Sequence, residues 1–305
     1  MQHKNPAWIP YLILVVLALI WGSSFILIKK CLVDYSSAEV ALGRMVAAGT
    51  FFLPFAITRL HKPRRQDWKY FVVLFIVGSA VPGILFTTAQ QHVSSAVAGA
   101  LNALTPLFTL LISLWLFKRK QNNAKFLGVF VGLIGALILV FTKNNTGFVA
   151  SQNPHYVYGL LVVLATFCYG INVNILEEKF KHLDAITLSA MPFSMLGLLA
   201  APVLFFLTDF AQHIDIDPTH INLMASTKAN SFYLMVLLGM VNTGIATILF
   251  NKLLKMTSGV VASSVTYLMP IVSLFWGWID GEWLGLPHIV GLMTILVGVY
   301  LVKKK

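Results

Sequence analysis

Charged side chains are scarce in this 305-residue chain. Lys, Arg, Asp and Glu together make up 11% of the residues, whereas soluble domains usually carry about 25%. Hydrophobic residues make up 58% of the chain. A soluble fold cannot hide so much apolar surface, because surface area grows almost as fast as mass. The shortage of charge therefore excludes an ordinary soluble domain and indicates a protein whose solvent is lipid.

Acidic residues and cysteines are also few. The chain has 11 Asp and Glu against 22 Lys and Arg, a net charge of +11, which raises nucleic acid as a partner. The basic residues, however, form short clusters between apolar runs, with no basic stripe, so we interpret them as charges that fix membrane topology and expect no nucleic acid. Cys31 and Cys168 have no ligand-like spacing, so neither a disulfide framework nor a metal site is expected.

Ten apolar segments are long enough to cross a bilayer, which needs roughly 20 residues per helix. Each segment must be helical, because lipid offers no partner to backbone polar groups. The sequence therefore predicts an all-α integral membrane protein of about ten transmembrane helices. The predicted spans are 9–29, 37–58, 69–90, 95–117, 125–142, 156–176, 185–208, 232–252, 259–279 and 285–302.

The distribution of basic residues predicts the orientation of the spans. The side that holds the N-terminus carries 17 Lys and Arg residues. The opposite side carries 4, and Arg44 lies within a span. Because basic residues accumulate on the cytoplasmic side, this asymmetry predicts a multi-pass protein with both termini in the cytoplasm.

The fourth and ninth spans repeat one pattern of small and polar residues at an offset of 164 positions. The spacing of 4, 3, 4, 3, 4 places each set on one helix face. Weaker matches pair Trp21 with Tyr169, Gly78 with Gly239, and the glycines of the fifth span with those of the tenth. The matched residues of the two stripes are Ser95, Gly99, Asn102, Pro106, Thr109 and Ser113 in one span and Gly259, Ser263, Thr266, Pro270, Ser273 and Gly277 in the other.

The repeat divides the chain into two halves, 9–142 and 156–302, with five predicted spans each. Because five is odd, the second half must be inverted relative to the first. Inverted repeats are a transporter architecture in which one half rocks against the other, and the solute site lies at their interface near mid-membrane. The pattern therefore favours a small-solute transporter embedded in the bilayer.

The sequence resembles the drug/metabolite transporter superfamily, specifically its ten-helix EamA-type members. The first half carries the resemblance through the run 20–25 (IWGSSF), Lys29, Arg44 and Pro106, and the second half through Pro270, Gly281-Glu282, Gly291 and Gly298. The resemblance implies efflux or exchange of small metabolites such as amino acids, or of amphiphilic drugs, across a bacterial plasma membrane. Such proteins often carry an acidic residue after the fourth span too, where this chain has Lys118.

Eleven residues form the predicted substrate pathway. The stripes on the fourth and ninth spans either line a water-filled route or form a close packing seam between helices. Two prolines would leave carbonyl groups without helical partners and available to a solute. The pathway residues are Trp21, Arg44, Asn102, Pro106, Thr109, Tyr169, Asn172, Thr243, Thr266, Pro270 and Ser273.

Arg44, Trp21 and Tyr169 each allow two interpretations. A cation at the depth of Arg44 costs about 2.5–3.5 kcal/mol on insertion scales. Arg44 either reaches back to the outer headgroups or attracts a substrate carboxylate. Trp21 and Tyr169 lie about a dozen residues into their spans and either line a cavity or pack against lipid.

No predicted span carries Asp or Glu in its middle, and no GxxxxGK[ST] phosphate-binding loop occurs. We therefore expect no enzyme activity, no cofactor and no obligatory proton relay within the bundle. The alternatives to a transporter are a membrane-embedded enzyme or a non-transporting membrane interaction protein.

Overall fold

The computed structural model of the protein describes residues 8–116, 124–141, 155–221, 227–257, 259–282 and 285–303. In this part of the chain, eight helices are long and apolar enough to cross a membrane, and two shorter apolar helices accompany them. The all-α membrane fold is thus confirmed. The helices are α1 (Ile9–Cys31), α2 (Ser37–Arg59), α3 (Asp67–Ala89), α4 (Ser95–Trp115), α5 (Ala124–Phe141), α6 (His155–Lys179), α7 (Ala185–Leu207), α8 (Lys228–Met256), α9 (Gly259–Ser263, Ser264–Tyr267 and Met269–Ile279) and α10 (Leu286–Lys303).

Several helices begin at a polar residue that caps the first turn. Ser36 and Glu39 form a capping box at the start of α2, in which each side chain accepts a hydrogen bond from the other residue's backbone N–H. The Asp184 carboxylate accepts two backbone N–H groups at the start of α7, and Thr227 caps α8. These caps satisfy amides that have no partner within the helix, so the connecting segments can turn sharply at the membrane surface.

The packing of the helices has a twofold pattern. Each of α2, α4 and α5 packs against its repeat partner, α7, α9 and α10 respectively. The other main contacts come in matched pairs. In one pair, α1 packs on α8 and α9, and its repeat partner α6 packs on α3 and α4. In the other, α2 packs on α8, and its repeat partner α7 packs on α3. An inverted duplication about an axis in the membrane plane produces this arrangement.

Glycines allow repeat-related helices to touch through their backbones. Gly49 of α2 and Gly197 of α7 stand at matched positions of the repeat, and a Cβ atom built at Gly49 would lie 2.5 Å from the Cα atom of Gly197. Neither position therefore has room for a side chain. The hydrophobic effect does not drive helices together within lipid. Small residues let membrane helices approach closely, so that van der Waals packing stabilises their contact.

The repeated glycines of α5 and α10 show the same contact with the helices antiparallel. A Cβ atom built at Gly135 would lie 2.7 Å from the carbonyl oxygen of Gly291. One built at Gly298 would lie 2.6 Å from the carbonyl oxygen of Gly128. The earlier glycine of one helix thus meets the later glycine of the other, which is the consequence of an inverted repeat.

We expect Gly197→Ala to destabilise the protein, because the new methyl group overlaps the Gly49 backbone, which cannot move aside as a flexible side chain would. Overpacking of this kind typically costs about 1–3 kcal/mol. The measurement is the melting temperature of the purified protein in detergent. Leu198→Ala, at a neighbouring position that is 62% exposed on the outer surface, is the control. Equal melting temperatures for the two variants would contradict the close approach of α2 and α7.

Candidate functional site

Two helices are interrupted near their middles. α4 breaks between Asn102 and Thr105, and α9 passes through a 3-10 turn, in each case just before a proline at the start of the next helical segment. Pro106 and Pro270 cause the breaks because proline lacks an N–H and its ring clashes with the preceding turn. The carbonyl of Asn102, which the Pro106 nitrogen cannot serve as a donor, accepts a hydrogen bond from Thr105 Oγ1 at 2.9 Å.

Two further helices contain wide π-helical segments at matched places. These segments are Ile76–Ala80 in α3 and Leu238–Ile245 in α8. Gly78 lies against the end of the Asn172 side chain, and Gly239 lies against the backbone of Arg44, which leaves no room for a Cβ atom at Gly239. π-helical turns cost backbone stability and occur frequently at functional sites. The two glycines are paired in the sequence repeat, but the π-helical segments were not predicted from it.

The four irregular helices surround a central cavity of about 170 Å3. Its wall combines aromatic rings with amides and hydroxyls. Seven of the eleven predicted pathway residues line it: Trp21, Arg44, Asn102, Tyr169, Asn172, Thr243 and Thr266. The other lining residues are Ser24, Phe25, Ile28, Leu74, Phe75, Gly78, Ser79, Phe86, Thr105, Val173, Leu176, Leu188, Pro192, Phe193, Asn242, Thr247, Phe250, Asn251, Ser263, Val265 and Met269.

The remaining four predicted residues lie outside the cavity wall. Pro106, Thr109, Pro270 and Ser273 are all buried between helices. Ser273 packs against Gly99, where a Cβ atom would overlap the Ser273 side chain. The carbonyl of Thr109 accepts a hydrogen bond from the amide of Asn174 in α6 at 2.9 Å. Each stripe thus faces the cavity only in part and otherwise forms a packing seam.

Trp21 joins α1 to α8 at the cavity wall. Its indole Nε1 donates a hydrogen bond of 2.7 Å to the carbonyl of Asn242, and the Asn242 amide donates in turn to the carbonyl of Ile20. The Trp21 ring packs on Phe250 with centroids 5.4 Å apart. The carbonyl of Asn242 lies in the π-helical segment of α8, so the side chain of Trp21 satisfies a backbone group in irregular helix.

Arg44 is the only charged residue among the described cavity-lining residues. Its guanidinium lies against Gly83 of α3, where a Cβ atom would stand 2.9 Å from Nη2. It forms no ion pair with any carboxylate in the described part of the chain. Arg44 therefore points between helices into the cavity and not along the lipid-facing surface.

Asn251 is a cavity residue that the sequence analysis did not single out. Its Nδ2 donates to Ser189 Oγ at 2.9 Å, while that hydroxyl donates its only proton to the carbonyl of Ala185. The Ser189 hydroxyl must therefore accept from the amide, which fixes the orientation of Asn251. Its Oδ1 is buried and has no hydrogen-bond partner. The amide thus presents one unused acceptor at the cavity wall.

Beyond one end of the cavity, α1 and α9 are joined by a cluster of charged residues. Lys29 Nζ lies 2.6 Å from Asp280 Oδ2 and 2.9 Å from Glu282 Oε1, and Lys30 also pairs with Asp280. Burial raises the pKa of Asp280, but hydrogen bonds from both lysines outweigh this and leave the pKa below its usual value. The ion pairs of Asp280 therefore contribute their full stabilisation of the fold above the usual carboxyl pKa. This stabilisation is lost as the pH falls through the lowered pKa of Asp280 in the folded protein.

Glu282 also caps α4. Its carboxylate accepts hydrogen bonds from the backbone N–H of Ser95 and of Ala96, both at 3.0 Å, and from the Ser95 hydroxyl at 2.8 Å. Gly281, at a φ of +75°, makes the turn that brings Glu282 back onto the helix. The Gly281-Glu282 pair was named from the resemblance, but its contact with α4 was not predicted. Lys118, the counterpart of Glu282 in the repeat, lies outside the described residues.

A second cavity, of about 360 Å3, lies toward the opposite end of the bundle, where α6 and α8 end and α7 begins. It shares Leu176 and Leu188 with the central cavity. The two cavities are therefore neighbours on this side of the bundle, and the charged cluster lies on the other side. The rest of its lining consists of Glu177, Phe180, Lys181, Leu254, Lys255 and Thr257.

Among the described residues, no group of three or more His, Cys, Asp or Glu side chains is placed to hold a metal ion. Two buried carboxylates at the ends of cavity-lining helices are engaged in capping. Glu39 caps α2, and Glu282 caps α4. What the cavity offers a solute is thus one guanidinium, several amides and hydroxyls, and a wall of aromatic rings.

We expect Glu282→Gln to lower the free energy of unfolding by about 1–3 kcal/mol, because it removes a buried charge that accepts hydrogen bonds from Lys29 and two backbone amides. Thermal unfolding in detergent measures the change. Lys30→Gln is the control, since the Lys30 side chain is 49% exposed and surface ion pairs contribute about 0–1 kcal/mol. An effect of Lys30→Gln as large as that of Glu282→Gln would contradict the capping role.

Comparison with known proteins agrees with this architecture. The profile of the EamA-like transporter family matches residues 8–141 and again 157–303. The uncharacterized transporter YoaV of Bacillus subtilis is 23% identical over 94% of both chains, and the uncharacterized inner membrane transporter YedA of Escherichia coli K12 is 26% identical over 96% of this chain and 92% of its own. A crystal structure with 19% identity covers 96% of both chains at a TM-score of 0.62, which shows a shared fold. The chain is a multi-pass membrane transporter and belongs to the EamA-like transporter family of the drug/metabolite transporter superfamily.

Proposed function

We propose that this transporter moves a small metabolite, such as an amino acid, out of the cell or in exchange, across the bacterial plasma membrane. The central cavity binds the solute, and the inverted halves 9–142 and 156–302 expose it to each side in turn. The observation that carries the proposal is the shared wall of the cavity. α1, α2, α3 and α4 contribute from one half and α6, α7, α8 and α9 from the other.

The irregular backbone supports a solute site at this place. Non-helical backbone at membrane depth is tolerated only where it is buried in protein or lines a water-filled cavity. The breaks in α4 and α9 and the π-helical segments in α3 and α8 all contribute residues to one cavity wall. Transporters place their binding sites at such discontinuous helices, at the interface of their repeats.

The size of the cavity favours a metabolite over a larger amphiphilic drug. A dry cavity of about 150 Å3 in a protein core accommodates a benzene ring. A volume of about 170 Å3 therefore fits a body of one ring or one branched chain with a small head group. Amino acids are of this size.

The proposed orientation places both termini in the cytoplasm. The ends of α6 and α8 carry Lys179, Lys181, Lys252 and Lys255, which belong to the basic-rich side of the chain. The second cavity then lies on the cytoplasmic side, and the cluster of Lys29 and Glu282 lies on the outer side. In this state the pathway is closed outside by ion pairs and continues inward. The name of YedA as an inner membrane transporter supports the same membrane.

We expect purified protein in lipid vesicles to exchange a labelled solute, identified from a panel of amino acids, nucleobases and cationic drugs. Trp21→Leu should slow this exchange by about tenfold. The substitution removes an aromatic ring from the cavity wall and leaves the Asn242 carbonyl without its hydrogen-bond donor. Loss of a hydrogen bond that contributes about 1.4 kcal/mol corresponds to a factor of ten. Trp278→Leu is the matched control, since Trp278 is 73% exposed on the outside of α9.

Equal exchange rates for both tryptophan variants would exclude the cavity as the pathway. The same vesicles also test the expected absence of a proton relay. With a pH gradient imposed at zero membrane potential, the solute should equilibrate without uphill accumulation. Accumulation that persists after Glu39→Gln and Glu282→Gln would contradict this expectation.

The orientation is tested with a thiol reagent that does not cross membranes. Gln212 and His61 are both exposed, the former between α7 and α8 and the latter between α2 and α3, and the native cysteines are buried. Gln212→Cys should be labelled in intact cells, whereas His61→Cys should be labelled only after the membrane is opened. Equal labelling of both variants in intact cells would contradict the inverted arrangement.

A further inference from the structure

Arg44 is a cation in the cavity wall that pairs with no carboxylate of the described residues. Four carboxylates of the described residues are engaged elsewhere. Asp34 accepts a hydrogen bond from Ser231, and Glu39 accepts one from Ser36. Asp280 pairs with Lys29, and Glu282 pairs with Lys29 and caps α4. The ionisable groups that interact electrostatically with Arg44 are Tyr169 and Cys31, and neither carries charge in its ordinary neutral-pH form.

An uncompensated charge at this depth is costly. Insertion scales place an arginine at the centre of a membrane helix at about 2.5–3.5 kcal/mol, and such residues usually pair with another group or mark a solute pathway. Arg44 is half-buried, faces the cavity, and makes no ion pair in the described part of the chain. An anion that enters the cavity therefore supplies the missing partner.

The surroundings of the guanidinium restrict the kind of anion. One planar guanidinium binds one carboxylate through two parallel hydrogen bonds. The described lining residues supply no second basic side chain for a multiply charged anion such as a phosphate ester. The rings of Phe25, Phe86 and Phe250 surround the remaining space, which suits an apolar body of about one ring or one branched chain.

We propose that the cavity selects solutes with a single carboxylate head group and a compact apolar body, and that Arg44 binds the carboxylate. This inference rests on the proposed function, because it assigns the class of solute that the same cavity carries. Cationic solutes are excluded, since they would meet the guanidinium with no carboxylate in the lining to offset the repulsion.

The test compares head groups on one body. The probes are 3-phenylpropionate, 3-phenylpropionamide and 3-phenylpropylamine, which share a ring and a chain and differ in carrying an anion, a neutral amide or a cation. Binding to the full-length protein in detergent is measured by the shift in melting temperature as a function of probe concentration. A second series, 4-methylpentanoate with its amide and amine, replaces the ring with a branched chain.

We expect both acids to bind the unaltered protein at least about tenfold more tightly than their amides, and the amines to bind least. Arg44→Gln should weaken binding of the acids by about tenfold or more while it changes binding of the amides less than about twofold. Arg44→Lys should retain part of the preference, because it keeps the charge and loses the bidentate geometry.

Two further variants separate charge from folding. Arg59→Gln removes an arginine at the end of the same helix, outside the cavity, and should leave every affinity unchanged. Gly83→Ala keeps the charge but places a methyl group 2.9 Å from Arg44 Nη2 and 2.8 Å from the Met45 methyl group, so that the guanidinium must shift. It should weaken binding of the acids more than binding of the amides. Each variant is required to melt cooperatively before its affinities are compared.

Three results would overturn the proposal: amides or amines that bind as tightly as acids, acids that bind Arg44→Gln as tightly as the unaltered protein, or folded protein that binds no acid of either series. The proposed function is tested separately, by the exchange assay in vesicles. Exchange of a neutral or cationic solute in vesicles would leave the transporter function intact while it excluded the carboxylate class.

Discussion

The structure depends on the requirement that backbone polar groups inside a membrane find partners within the protein. Regular helices meet this requirement by themselves, and six of the ten helices are regular along their length. The four that are irregular, α3, α4, α8 and α9, all border the central cavity. There, side chains supply the hydrogen bonds to backbone groups that a regular helix would make by itself. Thr105 donates to the carbonyl of Asn102, and Trp21 donates to the carbonyl of Asn242.

The duplication gives the two halves the same irregularities, and the inversion points them at one another. Matched glycines, Gly49 with Gly197, bring the repeat-related helices α2 and α7 into backbone contact. The cavity lies between helices of both halves, which touch through such contacts. The two ends of the bundle differ, since a charged cluster lies on one side of the cavity and a second cavity lies on the other.

Much of this architecture was predictable because lipid restricts the possibilities. Hydrophobic runs fix the spans within a few residues, and seven of the eleven predicted pathway residues share one cavity wall. Where long-range packing decides, the sequence pattern carries less information. Ser273 and Thr109 carry hydroxyl groups at the same spacing as Thr266, yet they face a neighbouring helix, and helix rotation of this kind cannot be read from one sequence. The π-helical segments were missed for a related reason, since their wider turns accommodate Asn172 and the Arg44 backbone from other helices.

The charged residues that join α1 to α9 have a consequence for how the molecule responds to its medium. Lys29 and Lys30 belong to one helix, and Asp280 and Glu282 follow the other. Any motion that separates these two helices pulls apart two positive and two negative charges. Dissolved ions screen such a separation, with a Debye length of about 8 Å at physiological ionic strength. The energy needed to separate α1 from α9 at this face therefore falls as the ionic strength of the surrounding solution rises.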